Sequence, residues 1–185
     1  MIRPGEACAA QSCPDGVIQP VTVRLTVNGR FVTRVAGAHF TLLRWLRDAA
    51  GVTDPKYGCG EGICGSCTVL VNGAPVSSCV VLAAQLDGAS VVTALGLCEP
   101  DGSLSLLQRA FHEHHAAQCG FCTPGMLVTA AAMLADGRHR TRDEIRSGLR
   151  GNLCRCTGYG PIVDAIEAAQ ETSQPAAPGA PEAGK

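Results

Sequence analysis

Aromatic residues are scarce in this chain, which has one Trp, two Tyr and four Phe among its 185 residues. Packing between aromatic rings therefore cannot be the main source of its core stability. Neither sign of charge is in excess, because 15 Lys and Arg face 16 Asp and Glu, for a formal net charge of -1. A nearly neutral chain has no broad positive field, so we exclude a nucleic-acid partner.

Long apolar runs are also missing. The longest mostly apolar stretch, near residues 126–135, is far shorter than the roughly 20 residues that a membrane-spanning helix needs. The N-terminal residues form neither an apolar export segment nor a twin-arginine pair. We therefore expect no membrane span and a cytoplasmic location.

Cysteine, by contrast, is abundant, with 11 residues in the chain. Thiols of a cytoplasmic protein stay reduced, so this number of cysteines indicates bound metal rather than disulfide bonds. The odd count independently rules out a framework in which every cysteine is paired.

Turn signals and periodicity divide the chain into four parts. We predict a flexible leader over residues 1–19, a first domain over 20–96, a second over 97–172 and a disordered tail over 173–185. The first domain shows period-two alternation and two Asn-Gly hairpin turns, which predict a small sheet crossed by one helix over residues 41–50. The predicted strands cover residues 21–27, 30–36, 68–71, 76–81 and 90–94.

The second domain has the spacing of helices instead. A stripe of apolar residues predicts a first helix over residues 103–118, and Thr123-Pro124 predicts the start of a second that runs to about residue 136. Residues 141–144 form a capping box that opens a third helix, and Gly160-Pro161 opens a fourth. The pattern is that of a small helical bundle.

The first group of cysteines is Cys59, Cys64 and Cys67, spaced C-x4-C-x2-C, with Cys79 further on. This opening is the spacing of plant-type [2Fe–2S] proteins, and the interleaved glycines allow the tight loop that a cluster needs. A structural zinc site is the alternative, but zinc sites usually pair two C-x2-C knuckles. The spacing favours iron and sulfur.

The second group combines Cys119 and Cys122 (C-x2-C) with Cys154 and Cys156 (C-x-C). One pair is predicted between the first two helices of the second domain and the other between the last two, so helix ends can bring four sulfurs together. Spacing alone leaves both a zinc ion and an iron–sulfur cluster open for this group.

Three longer strings around these cysteines resemble those of one protein family. They are residues 58–69 (GCGEGICGSCTV), 118–126 (QCGFCTPGM) and 151–159 (GNLCRCTGY). Together they resemble the two-[2Fe–2S] small subunit or domain of molybdenum hydroxylases, the xanthine dehydrogenase, aldehyde oxidase and carbon monoxide dehydrogenase family. The resemblance covers residues 21–170 and includes all eight family cysteines in order.

The resemblance implies an α+β fold class, with an N-terminal β-grasp ferredoxin-like domain followed by a C-terminal four-helix bundle domain. It implies a distal [2Fe–2S] cluster, far from molybdenum, held by Cys59, Cys64, Cys67 and Cys79. It implies a proximal [2Fe–2S] cluster held by Cys119, Cys122, Cys154 and Cys156. Gln118 and Cys156 match residues that contact the molybdopterin of the neighbouring subunit.

The resemblance also implies partners, namely a large molybdopterin-binding subunit and a medium FAD-binding subunit, arranged as a dimer of heterotrimers. Electrons from substrate hydroxylation at molybdenum would pass through the proximal and then the distal cluster to FAD. The substrate site would lie on the partner, with xanthine or another purine or N-heteroaromatic favoured. A subunit of an aldehyde or carbon monoxide dehydrogenase, a free-standing two-cluster ferredoxin and a zinc-stabilised interaction module are the alternatives.

Three cysteines lie outside both groups. We interpret Cys8 and Cys13 as incidental thiols of the leader, and Cys98 as a small buried apolar residue. His112 and His115 lie one helical turn apart but have no further ligand at metal-binding spacing, so we expect an exposed helix surface there.

Overall fold

The computed structural model describes residues 19–173, so the predicted leader and tail, including Cys8 and Cys13, lie outside the described residues apart from one residue of each segment. The described part is an α+β structure in which a five-stranded mixed sheet with one short helix is followed along the chain by four further α-helices.

The sheet has the strand order β2-β1-β5-β3-β4, in which β1 and β5 are parallel and the other neighbours are antiparallel. In β1, Val23, Leu25 and Val27 are buried while Arg24 between them is exposed, which is the alternation of a strand with one covered face. The strands are β1 Pro20–Val27, β2 Arg30–Gly37, β3 Thr68–Val71, β4 Ala74–Ser77 and β5 Ser90–Val92.

One short helix crosses the covered face of the sheet. The Thr41 side chain accepts a hydrogen bond from the Arg44 amide and so caps α1, Leu42–Arg44, which continues as a π-helix over Trp45–Ala49. Trp45 is fully buried in the sheet core. The predicted helix is confirmed, and the change to π-helical hydrogen bonding within it was not predicted.

The predicted strand over residues 76–81 begins and ends too late, because β4 runs from Ala74 to Ser77. Beyond that point Ser78 turns inward: its carbonyl accepts the Leu43 amide, and its hydroxyl donates to the Cys67 carbonyl at 2.6 Å. These bonds replace the sheet ladder and direct Cys79 towards Cys67. The last strand also ends earlier than predicted, at Val92, and a 3₁₀ turn begins two residues later at Ala94.

The four later helices are α2 Leu106–Glu113, α3 Thr123–Leu134, α4 Arg142–Gly148 and α5 Gly160–Ser173. The predicted capping box at Thr141 is present. The first helix is shorter than predicted at both ends, because Ser105 and Gln108 form a capping box and His115 takes a positive φ of 52°. A left-handed residue cannot continue a right-handed helix.

The helices enclose their own core and also cover the sheet. Met126, Ile145, Ile162 and Ile166 are fully buried in this core. Helix α3 packs against β3, and Leu70 of β3 joins the helical core. Among residues 19–173, no helix has both the length and the apolar character needed to cross a membrane.

Candidate functional site: two cysteine loops in contact

The first cysteine group lies on the loop between the π-helix and β3, with Cys79 contributed by the segment after β4. Cys67 and Cys79 are buried and pack together against Leu43, whereas Cys59 and Cys64 are half-buried at the loop surface. The structure therefore brings the four sequence-predicted cysteines of this group to one place.

Backbone amides of the loop point at one sulfur. Three of them donate to Cys59 Sγ, each at 3.4 Å, and they belong to Glu61, Ile63 and Cys64. These hydrogen bonds, that of Glu61 first, lower the pKa of Cys59 to about 6. Gly60 and Gly62 have φ values of +74° and +75°, and the loop depends on that conformation. The backbone amides of this loop thus favour the thiolate form of Cys59 before any metal is present.

Cys79 has the opposite environment. Burial, together with the neighbouring Cys67 thiol, raises the pKa of Cys79 to about 11. A buried thiol of this kind ionises when a cation compensates for the lost hydration, which is what a metal centre supplies.

The second cysteine group is drawn from two loops of the helical part. Cys119 and Cys122 lie between α2 and α3, and Cys154 and Cys156 lie between α4 and α5. Cys119 and Cys156 are exposed, with their sulfurs 3.6 Å apart. Cys122 and Cys154 are half-buried, contact each other and pack against the helical core. Burial raises the pKa of Cys122 to about 12.

Both groups are arranged as two pairs of sulfurs, Cys59 with Cys64 and Cys67 with Cys79, then Cys119 with Cys156 and Cys122 with Cys154. Two thiolates on one tetrahedral metal, with bonds of about 2.3 Å, lie about 3.8 Å apart, and the Cys119–Cys156 separation of 3.6 Å is close to this. In a [2Fe–2S] cluster, each iron takes one such pair. The donor set fits the binuclear group.

Exposed residues surround the second group. Gln118, Phe121, Leu153 and Arg155 are all exposed beside Cys119 and Cys156. The structure thus puts both predicted molybdopterin-contacting residues, Gln118 and Cys156, on one open surface. Cys98 was expected to be a buried apolar residue but is half-buried, and its sulfur accepts a hydrogen bond from the Gln108 side-chain amide at 3.5 Å. His112 and His115 are exposed, as expected.

The two cysteine loops touch. Leu153 donates its amide to the carbonyl of Cys64 at 2.9 Å. Asn152, only 4% exposed, donates its side-chain amide to the Gly65 carbonyl at 3.1 Å and accepts the Thr129 hydroxyl at 2.9 Å. The segment after Gly151 is therefore bonded directly to the centre of the first loop.

Close approach of the loops requires the absence of side chains. Gly65 has a φ of +69°, and a Cβ there would overlap the Gly151 carbonyl and the Asn152 amide. A Cβ at Gly125 on helix α3 would in turn overlap the carbonyl of Gly65. Two glycines thus set the distance between the sheet and the helical part.

The Tyr159 hydroxyl bridges two backbone groups of the second cysteine loop. Its hydroxyl accepts the Cys154 amide at 3.0 Å and donates to the Asn152 carbonyl at 3.1 Å, while its ring packs on the helical core. Nothing in the neighbouring sequence indicates this hydroxyl bridge.

We expect Tyr159→Phe to lower the free energy of unfolding by about 1–3 kcal/mol, because two backbone groups beside Cys154 lose their partner. Denaturant unfolding of the purified chain measures this loss. Tyr57→Phe is the matched control, because that ring is 67% exposed, and it should leave unfolding unchanged. Equal losses in the two variants would contradict the bridging role.

Sequence reasoning missed Asn152, Thr129 and Gly125 as parts of the site. Asn152 lies within one of the quoted strings, but nothing in the sequence shows that its amide is buried against a loop 87 residues earlier. A polar residue immediately beside a cysteine ligand motif, with glycines in both loops, is the signal that would direct attention to such a contact.

Two family models match consecutive parts of the chain. One, a 2Fe-2S iron-sulfur cluster binding domain, matches residues 25–94, and the other, a [2Fe-2S] binding domain, matches residues 93–167. The matches meet where the sheet gives way to the helices.

Known proteins match over most of their length. The nicotine 6-hydroxylase small subunit of Paenarthrobacter nicotinovorans is 49% identical, over 79% of this chain and 87% of the relative. The nicotinate dehydrogenase small FeS subunit of Eubacterium barkeri is 46% identical, over 82% and 96%. A chain in the crystal structure of quinoline 2-oxidoreductase from Pseudomonas putida 86 superposes with a TM-score of 0.80 at 46% identity, covering 83% of this chain and 96% of that one.

Proposed function

The chain belongs to the family of iron–sulfur small subunits of molybdenum hydroxylases, which includes the xanthine dehydrogenase and aldehyde oxidase members, and from this premise we propose how its residues carry electrons. It is an electron-transfer subunit of an oxidoreductase and contains two [2Fe–2S]-binding domains. When bound, the clusters supply carriers that take up and release one electron at a time. The observation that carries the proposal is the arrangement of eight cysteines as two sets of sulfur pairs on loops in contact.

The residues of each loop have distinct tasks. Cys59, Cys64, Cys67 and Cys79 would hold the distal cluster, and Cys119, Cys122, Cys154 and Cys156 the proximal one. The amides directed at Cys59 would stabilise negative charge on that sulfur. Because Cys67 and Cys79 are buried, they would keep water away from their side of a bound cluster. The chain itself would bind no substrate.

The architecture supports the finer domain assignment. We place a β-grasp ferredoxin-like domain at residues 20–96 and a four-helix bundle domain at residues 97–172. The mixed sheet crossed by one helix, and the four helices α2 to α5 around one core, support these two units.

The exposed surface around the second cysteine group would be the contact with a partner subunit. Gln118 and Cys156 are exposed there, so they would contact molybdopterin on a large subunit, with a medium FAD-binding subunit beyond the first group. A dimer of such heterotrimers is the proposed assembly. Thiols kept reduced for metal binding suit the cytoplasm.

The substrate would be an N-heteroaromatic ring. Nicotine, nicotinate and quinoline appear in the names of similar proteins, and this supports such rings over aldehydes or carbon monoxide. The substrate site would lie on the large subunit, so this choice concerns the complex rather than the chain.

Mild co-purification from the source cells, followed by metal and flavin analysis, tests the proposal. We expect two larger chains, molybdenum, FAD and iron, with a red-brown colour and hydroxylation of an N-heteroaromatic substrate by the complex. A colourless chain carrying zinc would contradict the electron-transfer role. Recovery of a red-brown chain without either partner would favour a free-standing ferredoxin.

A further inference from the structure

The Thr157 side chain lies against a sulfur of the second cysteine group. Its Oγ1 atom is 3.2 Å from Cys154 Sγ, and its backbone amide donates to the same sulfur at 3.5 Å. Within residues 19–173, the other hydrogen bonds to sulfurs of the two cysteine groups come from backbone amides or from another cysteine. Thr157 is therefore the side chain in this part of the molecule that directs a hydroxyl at a predicted cluster ligand.

The direction of this hydrogen bond follows from the neighbouring groups. A hydroxyl carries one proton and two acceptor lone pairs, and Thr157 Oγ1 accepts the Tyr159 amide at 3.2 Å. A cysteine that binds metal is deprotonated and has no proton to donate. With Cys154 as a ligand, the Thr157 hydroxyl is therefore the donor, and the Tyr159 amide helps to fix its orientation.

A left-handed turn places Thr157 beside the sulfur. Gly158 and Tyr159 have positive φ values of 66° and 69°, a conformation that is unfavourable for a residue as bulky as tyrosine. The Tyr159 hydroxyl bonds to the Cys154 amide and the Asn152 carbonyl, and its ring packs on the helical core. These contacts offset the unfavourable backbone conformation and keep Thr157 within hydrogen-bonding distance of the sulfur.

The two half-buried sulfurs of this group differ in a way that the donors explain. Burial raises the pKa of Cys122 to about 12. Burial is also the largest single influence on Cys154 and would raise its pKa, but the hydrogen bonds to that sulfur, those of Thr157 foremost, together lower the pKa below its ordinary value. Negative charge is thus stabilised more at Cys154 than at Cys122.

Resting on the proposed function, we infer that the Thr157 hydroxyl donates a hydrogen bond to the Cys154 thiolate and thereby raises the reduction potential of the proximal cluster. Reduction adds one electron, and so one negative charge, to the cluster and its ligands. A donor directed at a ligand sulfur stabilises that charge, and hydrogen bonds to the sulfurs are among the factors that set cluster potentials. No covalent bond breaks, and the proton remains on Thr157. This residue acts through Cys154 and makes the proximal cluster a better electron acceptor for the molybdenum partner.

Redox titration of the complete complex, followed by paramagnetic resonance of each cluster, tests this inference. We expect Thr157→Val to retain both cluster signals and to lower the reduced-to-oxidised ratio of the proximal cluster about tenfold at a fixed applied potential, because one donor to the sulfur is lost. For one electron, this change equals a midpoint potential lowered by about 59 mV. The distal cluster should titrate as in the wild type. Thr157→Ser, which keeps the hydroxyl, should restore the wild-type ratio.

Thr123→Val is the matched control. Thr123 is likewise half-buried and adjoins Cys122, a predicted ligand of the same cluster, but among residues 19–173 no hydrogen bond joins its hydroxyl to a sulfur. This variant should titrate as the wild type does. An unchanged proximal ratio in Thr157→Val, an equal change in Thr123→Val, an equal change in both clusters, or failure of Thr157→Ser to restore the ratio overturns the inference.

Thr157→Ala covers the case in which the branched valine prevents assembly. It removes the same hydroxyl without crowding the turn and should lower the proximal ratio in the same direction. A wild-type ratio in this variant overturns the inference. Failure of the proposed function would look different, because the wild-type complex would then lack two cluster signals.

Discussion

Replacement of Cys154 by serine should remove one of the two [2Fe–2S] resonance signals of the reduced complex and leave the other. Cys154 pairs with Cys122 in the second group and contacts no sulfur of the first. Loss of one thiolate leaves that iron without its full set of ligands, so we expect about half of the bound iron to be lost. Paramagnetic resonance and iron analysis of the same sample measure both quantities.

Two companion variants make this result specific. Cys64→Ser should remove the other signal, because Cys64 lies in the first group beside Cys59. Cys98→Ser should change neither signal, since Cys98 lies outside both groups and its sulfur accepts a hydrogen bond from the Gln108 side chain at 3.5 Å. Loss of both signals in Cys154→Ser, or of neither, would contradict the division of eight cysteines into two independent sites.

Gly65→Ala should separate the sheet from the helical part. The added Cβ would overlap the Gly151 carbonyl and the Asn152 amide, and the positive φ of +69° adds a conformational cost of about 1–2 kcal/mol. We expect the free energy of unfolding to fall by more than about 4 kcal/mol. Denaturant unfolding measures the loss, and limited proteolysis shows whether the loops have come apart.

Gly102→Ala is the matched control for this prediction. Its φ is +84°, so the conformational cost is similar, but no heavy atom would lie within 4 Å of the new Cβ. We expect a loss of about 1–2 kcal/mol and no change in protease sensitivity. If both variants lose the same stability, the steric explanation is wrong.

Features set by neighbouring residues could be predicted from the sequence. The Asn28-Gly29 turn has φ values of 49° and 77°, and the Asn72-Gly73 turn has 49° and 85°, as two-residue hairpins require. The capping box at Thr141 likewise depends on residues three apart. In each case, the signal and the structure it determines lie in the same short segment.

Features set by distant contacts could not be predicted. The end of β4 depends on bonds from Ser78 to Leu43 and Cys67, which belong to other segments of the chain. The role of Asn152 depends on Gly65 and Thr129 in the same way. The spacing of the cysteines indicated which residues would gather, and the contact between the loops that gather them became visible only in three dimensions.

The uneven exposure of the cysteines determines where oxidation of the cluster-free chain would begin. Cys67 and Cys79 are buried, whereas Cys119 and Cys156 are exposed. Accessible low-pKa thiolates are oxidised first, to sulfenic and then to irreversible sulfinic acid, and hydrogen bonding lowers the pKa of Cys119. Oxidation of copies without clusters would therefore begin at the exposed second group, on the surface that we propose faces a partner subunit.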